Sequence, residues 1–174
     1  MDKNQTPAGR SRNRILFIAE AGVIAALYVA LTHLSNLAGL ASGAIQVRVS
    51  EALCVLAFFT PAAIPGMTVG CFLANLTTGC VWADILFGTL ASFLGALGGW
   101  LLRKASVWLV PIPTVLANAF IVPFVLIYAY HVENAWWFLF LTVGAGEIIA
   151  AYLLGMILYF AVRRPLTRLM ERDR

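Results

Sequence analysis

Six polar side chains stand out in a chain that is otherwise mostly apolar: Arg48, Glu51, Asn75, Asp84, Asn118 and Glu147. Glu147 is the clearest case. It follows Gly144-Ala145-Gly146 inside an apolar run that begins near Trp136. A rise of ~1.5 Å per residue puts it near the middle of a bilayer. An ionisable group at that depth costs about 2.5 kcal/mol or more, so it marks a solute or proton site or a carboxylate with a hidden partner. The small residues before it let a neighbouring helix or a ligand come close. Asn75 and Asp84 flank a short connection, where they read either as helix-end groups or as ligand contacts, with Asp84 well placed as an N-terminal charge. Glu51, close to Arg48 and Ser50, has the same pair of readings. Asn118 lies within an apolar run, where an interhelical hydrogen bond is its plainest role. Glu20 lies a turn or two inside a basic cluster, so pairing with Arg14 or snorkelling is expected rather than ligand contact.

The chemistry these groups offer is recognition, not bond breaking. The sequence holds no G-x-x-x-x-G-K-[ST] loop, no H-E-x-x-H, no G-x-S-x-G and no paired-cysteine zinc pattern. A metal site or other resident cofactor is not expected. His33 and His131 fall at the ends of apolar runs and read as interfacial. Cys54, Cys71 and Cys80 lie in apolar surroundings without metal-ligand spacing and read as small membrane residues. With no nucleotide site, uphill uptake of a solute would draw on an ion gradient or on another subunit.

The elements that must position these groups are membrane helices. Of 174 residues, 61% are hydrophobic and 11% charged, and the mean hydropathy is +0.88. Eight acids and twelve bases are too few to coat a soluble domain of this length. Apolar runs extend from about Ile15 to Leu34, Glu51 to Phe59, Gly66 to Thr77, Asp84 to Arg103, Pro113 to Tyr130, and Trp136 to Val162. Thr60-Pro61-Ala62-Ala63-Ile64-Pro65-Gly66 reads as a tight turn, and Thr78-Gly79-Cys80 as a break. The expected fold is therefore all-α, an integral membrane bundle of six transmembrane helices (residues 15–164). A basic tail precedes it (1–14) and a second tail follows (165–174). Asp2 to Arg14 is too polar to be a cleaved signal sequence.

Six crossings place Arg10, Arg12 and Arg14, then Arg103 and Lys104, then Arg163, Arg164 and Arg168 on one side. Arg48, Glu51, Asp84 and Glu133 fall on the other. The positive-inside rule makes the first side, with both termini, cytoplasmic. A net charge of +4 is thus used for topology and argues against a nucleic-acid partner. Trp82, Tyr128, Tyr130, Trp136 and Trp137 cluster at the outer side, mostly as an aromatic belt, with one or two available to stack on a flat ligand. Ala21 with Ala25 and Gly22 with Ala26 are small pairs four apart, suited to close helix packing within the bundle or against a partner.

These residues also carry a resemblance. Arg48-Val49-Ser50-Glu51-Ala52-Leu53, then Phe58 through Gly66, Gly70-Cys71 and Ala74-Asn75-Leu76, closely resembles the QueT family of queuosine-precursor transporters. So do Asp84 through Ala91, Asn118-Ala119, Gly146-Glu147 and the first-span string Ala25 through Thr32. The likeness runs from Ala21 to Leu158, departing at Cys80-Val81-Trp82, where a glycine- and leucine-like connection is expected. It implies a plasma-membrane S-component of an energy-coupling factor transporter in a bacterium or archaeon. Such a subunit would capture a 7-deazaguanine such as 7-aminomethyl-7-deazaguanine (preQ1) from outside. A membrane coupling subunit and two cytoplasmic ATPases would drive its release inside. The resemblance also makes Ala21, Gly22, Ala25 and Ala26 plausible contacts for the coupling subunit. Substrate contacts are then expected from Glu147 with Asp84 or Glu51, from Asn75 on O6 or N7, from Arg48 closing over the ring, and from Asn118. Queuine or a vitamin as ligand, a solitary ion-coupled carrier, and a membrane enzyme are the competing expectations.

Overall fold

The computed structural model describes residues 7–40 and 46–172. Residues 1–6 and 173–174 of the expected tails, residues 41–45 of the first outer loop, and the side chains of Arg10 and Arg168 lie outside the described residues. The described chain is all-helical. α1 (Pro7–Leu37) is followed by a 3₁₀ helix (Val49–Phe58), α2 (Ala63–Thr77), α3 (Trp82–Leu102), a single 3₁₀ turn (Val107–Leu109) and α4 (Ile112–Tyr128). The last rod is α5 (Trp136–Glu147), a π-helical stretch (Ile148–Leu154) and α6 (Gly155–Arg172) without interruption.

Six helical passes follow, as expected, and four of the helical stretches are long and apolar enough to cross a bilayer. The other two, the 3₁₀ helix and α2, are short. Pro65 does not mark the turn but lies in the first turn of α2, where its missing N–H has no intrahelical partner to lose. The turn itself closes at Thr60, whose hydroxyl accepts from the Ala62 N–H at 3.2 Å and donates to Glu20 at 2.7 Å. Glu20 therefore ties α1 to the α2 entry instead of pairing with Arg14. α1 also starts earlier than its apolar run, with Pro7 as its first residue, a position that suits proline.

The burial pattern is that of a protein whose solvent is lipid. Large apolar side chains such as Leu86, Phe87, Phe120, Phe124, Leu141 and Ile157 are exposed, while Ala57, Ala63, Ala74, Ala91, Ala96 and Ala151 are fully buried. Small interior residues let the helices approach closely, which is how membrane bundles gain packing without a hydrophobic drive between helices. Gly66 and Gly70 on α2 show this directly: a Cβ at Gly70 would stand 2.7 Å from the Tyr28 Cβ, and one at Gly66 2.8 Å from the Ile24 Cβ.

The 3₁₀ helix is the hub. It packs against α1, α2, α3, the π-helical stretch and α6, and its residues Ser50 to Val55 and Ala57 are buried. Ten residues in 3₁₀ form reach ~20 Å, where an α-helix of the same length would reach ~15 Å. The tighter winding therefore lets a short segment penetrate deeply. The π-helical stretch facing it is wider than an α-helix, and its Ala151 carbonyl accepts from the Cys54 thiol at 3.6 Å. Gly146, just before that stretch, is pressed onto the Gln46 backbone so closely that a Cβ has no room.

Candidate functional site

A cavity of about 380 Å³ lies between α1, the 3₁₀ helix, α3, α4 and α5, at the end of the bundle that carries Arg48 and Asp84. That volume suits a small heterocycle. Its inner part is lined by Glu51, Ser92, Asn118 and Glu147, and its outer part by Arg48, Asp84, Thr78, Cys80 and Tyr130. Asp84, Gly88 and Ser92 recur every four residues along α3, so one helix face delivers an acid, a gap and a hydroxyl to the same wall. Asn118 and Val122 do the same from α4, and Val143 and Glu147 from α5.

The outer end is a closed polar network. Arg48 forms an ion pair with Asp84 at 3.6 Å and donates to the Asn75 side-chain carbonyl at 3.2 Å. The Asn75 amide donates in turn to the Asp84 backbone carbonyl at 3.3 Å. The Tyr130 hydroxyl donates to Asp84 at 3.1 Å. Burial first, and then the Asp84 carboxylate beside it, push the Tyr130 phenol above its usual range, which keeps it protonated as a donor. Asp84 thus serves Arg48 and Tyr130, and the start of α3 has no side-chain cap.

The inner end is left open. Glu51 is 2% exposed and accepts from the Tyr28 hydroxyl through Oε1, while its Oε2 has no partner. Glu147 is 7% exposed and its Oε2 is also unpartnered. The Asn118 side-chain N–H₂ is buried without an acceptor. Two carboxylate oxygens and an amide donor, all walled off from bulk water, are expensive unless something fills them. The capping reading of Glu51 fails, since no side chain caps the start of the 3₁₀ helix.

Five of the six residues singled out in the sequence line the cavity; Asn75, 1% exposed, stands behind Arg48 with both ends of its amide engaged. Sequence reasoning missed Tyr28 and Ser92, and counted Tyr130 among outer aromatics of which most form a belt and one or two can stack on a ligand. Trp82, Tyr128 and Trp137 are exposed as belt residues should be. The every-fourth-residue series Asp84, Gly88, Ser92 was the available signal for Ser92. The small residues of α1 divide: Ala25 is buried and Ala21 half-buried against α2, while Gly22 and Ala26 face outward. Cys54, Cys71 and Cys80 are free thiols. Among the described residues no group of three His, Cys, Asp or Glu is arranged to hold a metal.

A lipid-exposed helical bundle around an open cavity with charged residues in its wall defines a multi-pass membrane protein with room for a small solute. The family model of the QueT transporter matches residues 18–164, and the chain belongs to that family, which is one of transporters and not of enzymes. The chain is also similar to the queuosine precursor transporter QueT of Lactococcus lactis subsp. cremoris, 38% identical over 77 residues, which is 44% of this chain and 45% of that protein. The similar stretch thus spans a little under half the length of that curated relative. No solved structure matches.

Proposed function

We propose that this chain is the membrane subunit that captures a queuosine precursor, a 7-deazaguanine carrying a cationic arm such as preQ1, from the outer side. The observation that carries the reading is the set of unpartnered groups at the inner end of the cavity, Glu51 Oε2, Glu147 Oε2 and the Asn118 amide. A guanine-like edge runs acceptor, donor, donor: O6, N1–H and the exocyclic amine. Asn118 donates to O6 while Glu147 accepts from the two donors, charge-assisted bonds of the stronger kind. Glu51, with one oxygen already taken by Tyr28, has one oxygen left for the ammonium of the arm. Arg48, held by Asp84 and Asn75, covers the ring from the outer side with its planar guanidinium.

Energy for release would come from a membrane coupling subunit and two cytoplasmic ATPases. The outward-facing Gly22 and Ala26 of α1 supply a flat strip on which a coupling helix can lie. The test is calorimetric titration of the purified chain in lipid nanodiscs with preQ1, queuine, guanine and a set of vitamins. Tight binding of preQ1 and weak binding of guanine and vitamins is expected. Tight binding of a vitamin with no response to 7-deazaguanines would overturn the proposal.

A further inference from the structure

Tyr28 lies on α1, outside the cavity lining, yet its hydroxyl reaches Glu51, which lines the cavity. The ring is 1% exposed, its Cβ rests against Gly70, and its hydroxyl donates to Glu51 Oε1 with Ser92 Oγ 3.4 Å away. One turn further on, Thr32 donates to the Ser50 hydroxyl at 2.9 Å. Two polar links therefore fasten α1 to the 3₁₀ helix at neighbouring residues, Ser50 and Glu51. The consequence for Glu51 is geometric. A carboxylate on a free rotor offers two equivalent oxygens, but here one is occupied and the other is buried and unpartnered, on a residue that lines the cavity.

We infer that Tyr28 is a positioning residue: it fixes the Glu51 carboxylate so that a single oxygen faces the ligand, and it makes α1 part of the specificity machinery. This rests on the ligand reading above. It adds that the hydroxyl of a residue outside the cavity lining decides how well the site tells a cationic arm from a neutral one. Without that hydroxyl, Glu51 turns toward Ser92 or its own helix, and the ammonium meets a mobile acceptor. Ring contacts, made by Glu147 and Asn118, are untouched.

The experiment is a double-mutant cycle on ligand affinity with Tyr28→Phe and Glu51→Gln, using preQ1 and its neutral 7-cyano analogue as probes. Y28F removes one hydroxyl and keeps the ring that packs on Gly70. Its expected effect is about a tenfold loss for preQ1 and little change for the 7-cyano compound. In the E51Q background the same substitution is expected to cost nothing further, because the group it acts through is already altered. A merely structural tyrosine would weaken both ligands alike, and its cost would multiply with that of E51Q. Either result overturns the inference, as does a Y28F protein that no longer folds. A wild-type chain that binds neither probe overturns the ligand reading and this inference together, so the two failures are distinguishable.

Discussion

Glu147→Gln separates a recognition carboxylate from a structural one, because the two roles predict opposite signs in two measurements. Glu147 Oε2 and the neighbouring Asn118 amide are buried and unpartnered, so the unliganded protein carries an uncompensated polar cluster. Glutamine keeps the shape and removes the charge. In the complex the change loses two charge-assisted bonds of about 1.5–3 kcal/mol each and keeps roughly one neutral bond of about 1 kcal/mol. The net loss is about 2–5 kcal/mol, or roughly 30- to 4,000-fold in Kd. In the unliganded protein the sign reverses, since a buried unpaired carboxylate is replaced by a neutral group. A gain near 1 kcal/mol would raise the unfolding temperature by about 2–4 °C for a chain of this size. Calorimetry of preQ1 and of its analogue lacking the exocyclic amine, with thermal unfolding in the same nanodiscs, reads both signs. Wild type is expected to prefer the amine-bearing compound and E147Q to lose most of that preference. Undiminished affinity, or a fall of several degrees in the unliganded protein, would refute the assignment.

Three further outcomes are expected. Asp84→Asn releases Arg48 and weakens the Tyr130 bond, which at a partly exposed pair costs about 1 kcal/mol; preQ1 titration should show a loss of about fivefold. Gly70→Ala places a methyl 2.7 Å from the Tyr28 Cβ, so α1 and α2 are forced apart. Overpacking of this kind costs about 1–3 kcal/mol, seen as a drop of roughly 2–12 °C in thermal unfolding. Ala26→Leu lies on the outward face of α1 and should leave preQ1 affinity unchanged, while abolishing ATP-driven uptake by vesicles that hold the chain with the proposed coupling subunit and ATPases.

The six passes were legible because hydropathy is a property of composition. Arg103-Lys104 and Arg163-Arg164 must fall on one side whatever the local helix geometry. Glu147, Glu51 and Asn118 were legible for a related reason, since each is a polar group where lipid or close packing surrounds it. What the sequence did not disclose was winding. In a segment such as Val49–Phe58, apolar on nearly every face, neither a 3.0 nor a 3.6 period leaves a mark. The π-helical stretch after Glu147 was hidden in the same way. Nor could spacing separate Ala21 and Ala25 from Gly22 and Ala26, because both pairs obey the same four-residue rule and only the neighbouring α2 breaks the tie. Tyr28 reads as one more aromatic until α1 is seen beside the 3₁₀ helix.

The winding of that helix acts as a ruler. In 3₁₀ form, residues three apart stand on the same edge, so Arg48 at the threshold and Glu51, Cys54 and Ala57 beyond it fall in one line down the segment. Arg48 and Glu51 are then about 6 Å apart along the axis and aligned, whereas α-helical winding would bring them to ~4.5 Å and rotate them out of register. The gap between Arg48 and Glu51 is therefore set by turn count. Inserting or deleting one residue between them would swing one of the pair through about 120° and disassemble the site without touching any group that lines it.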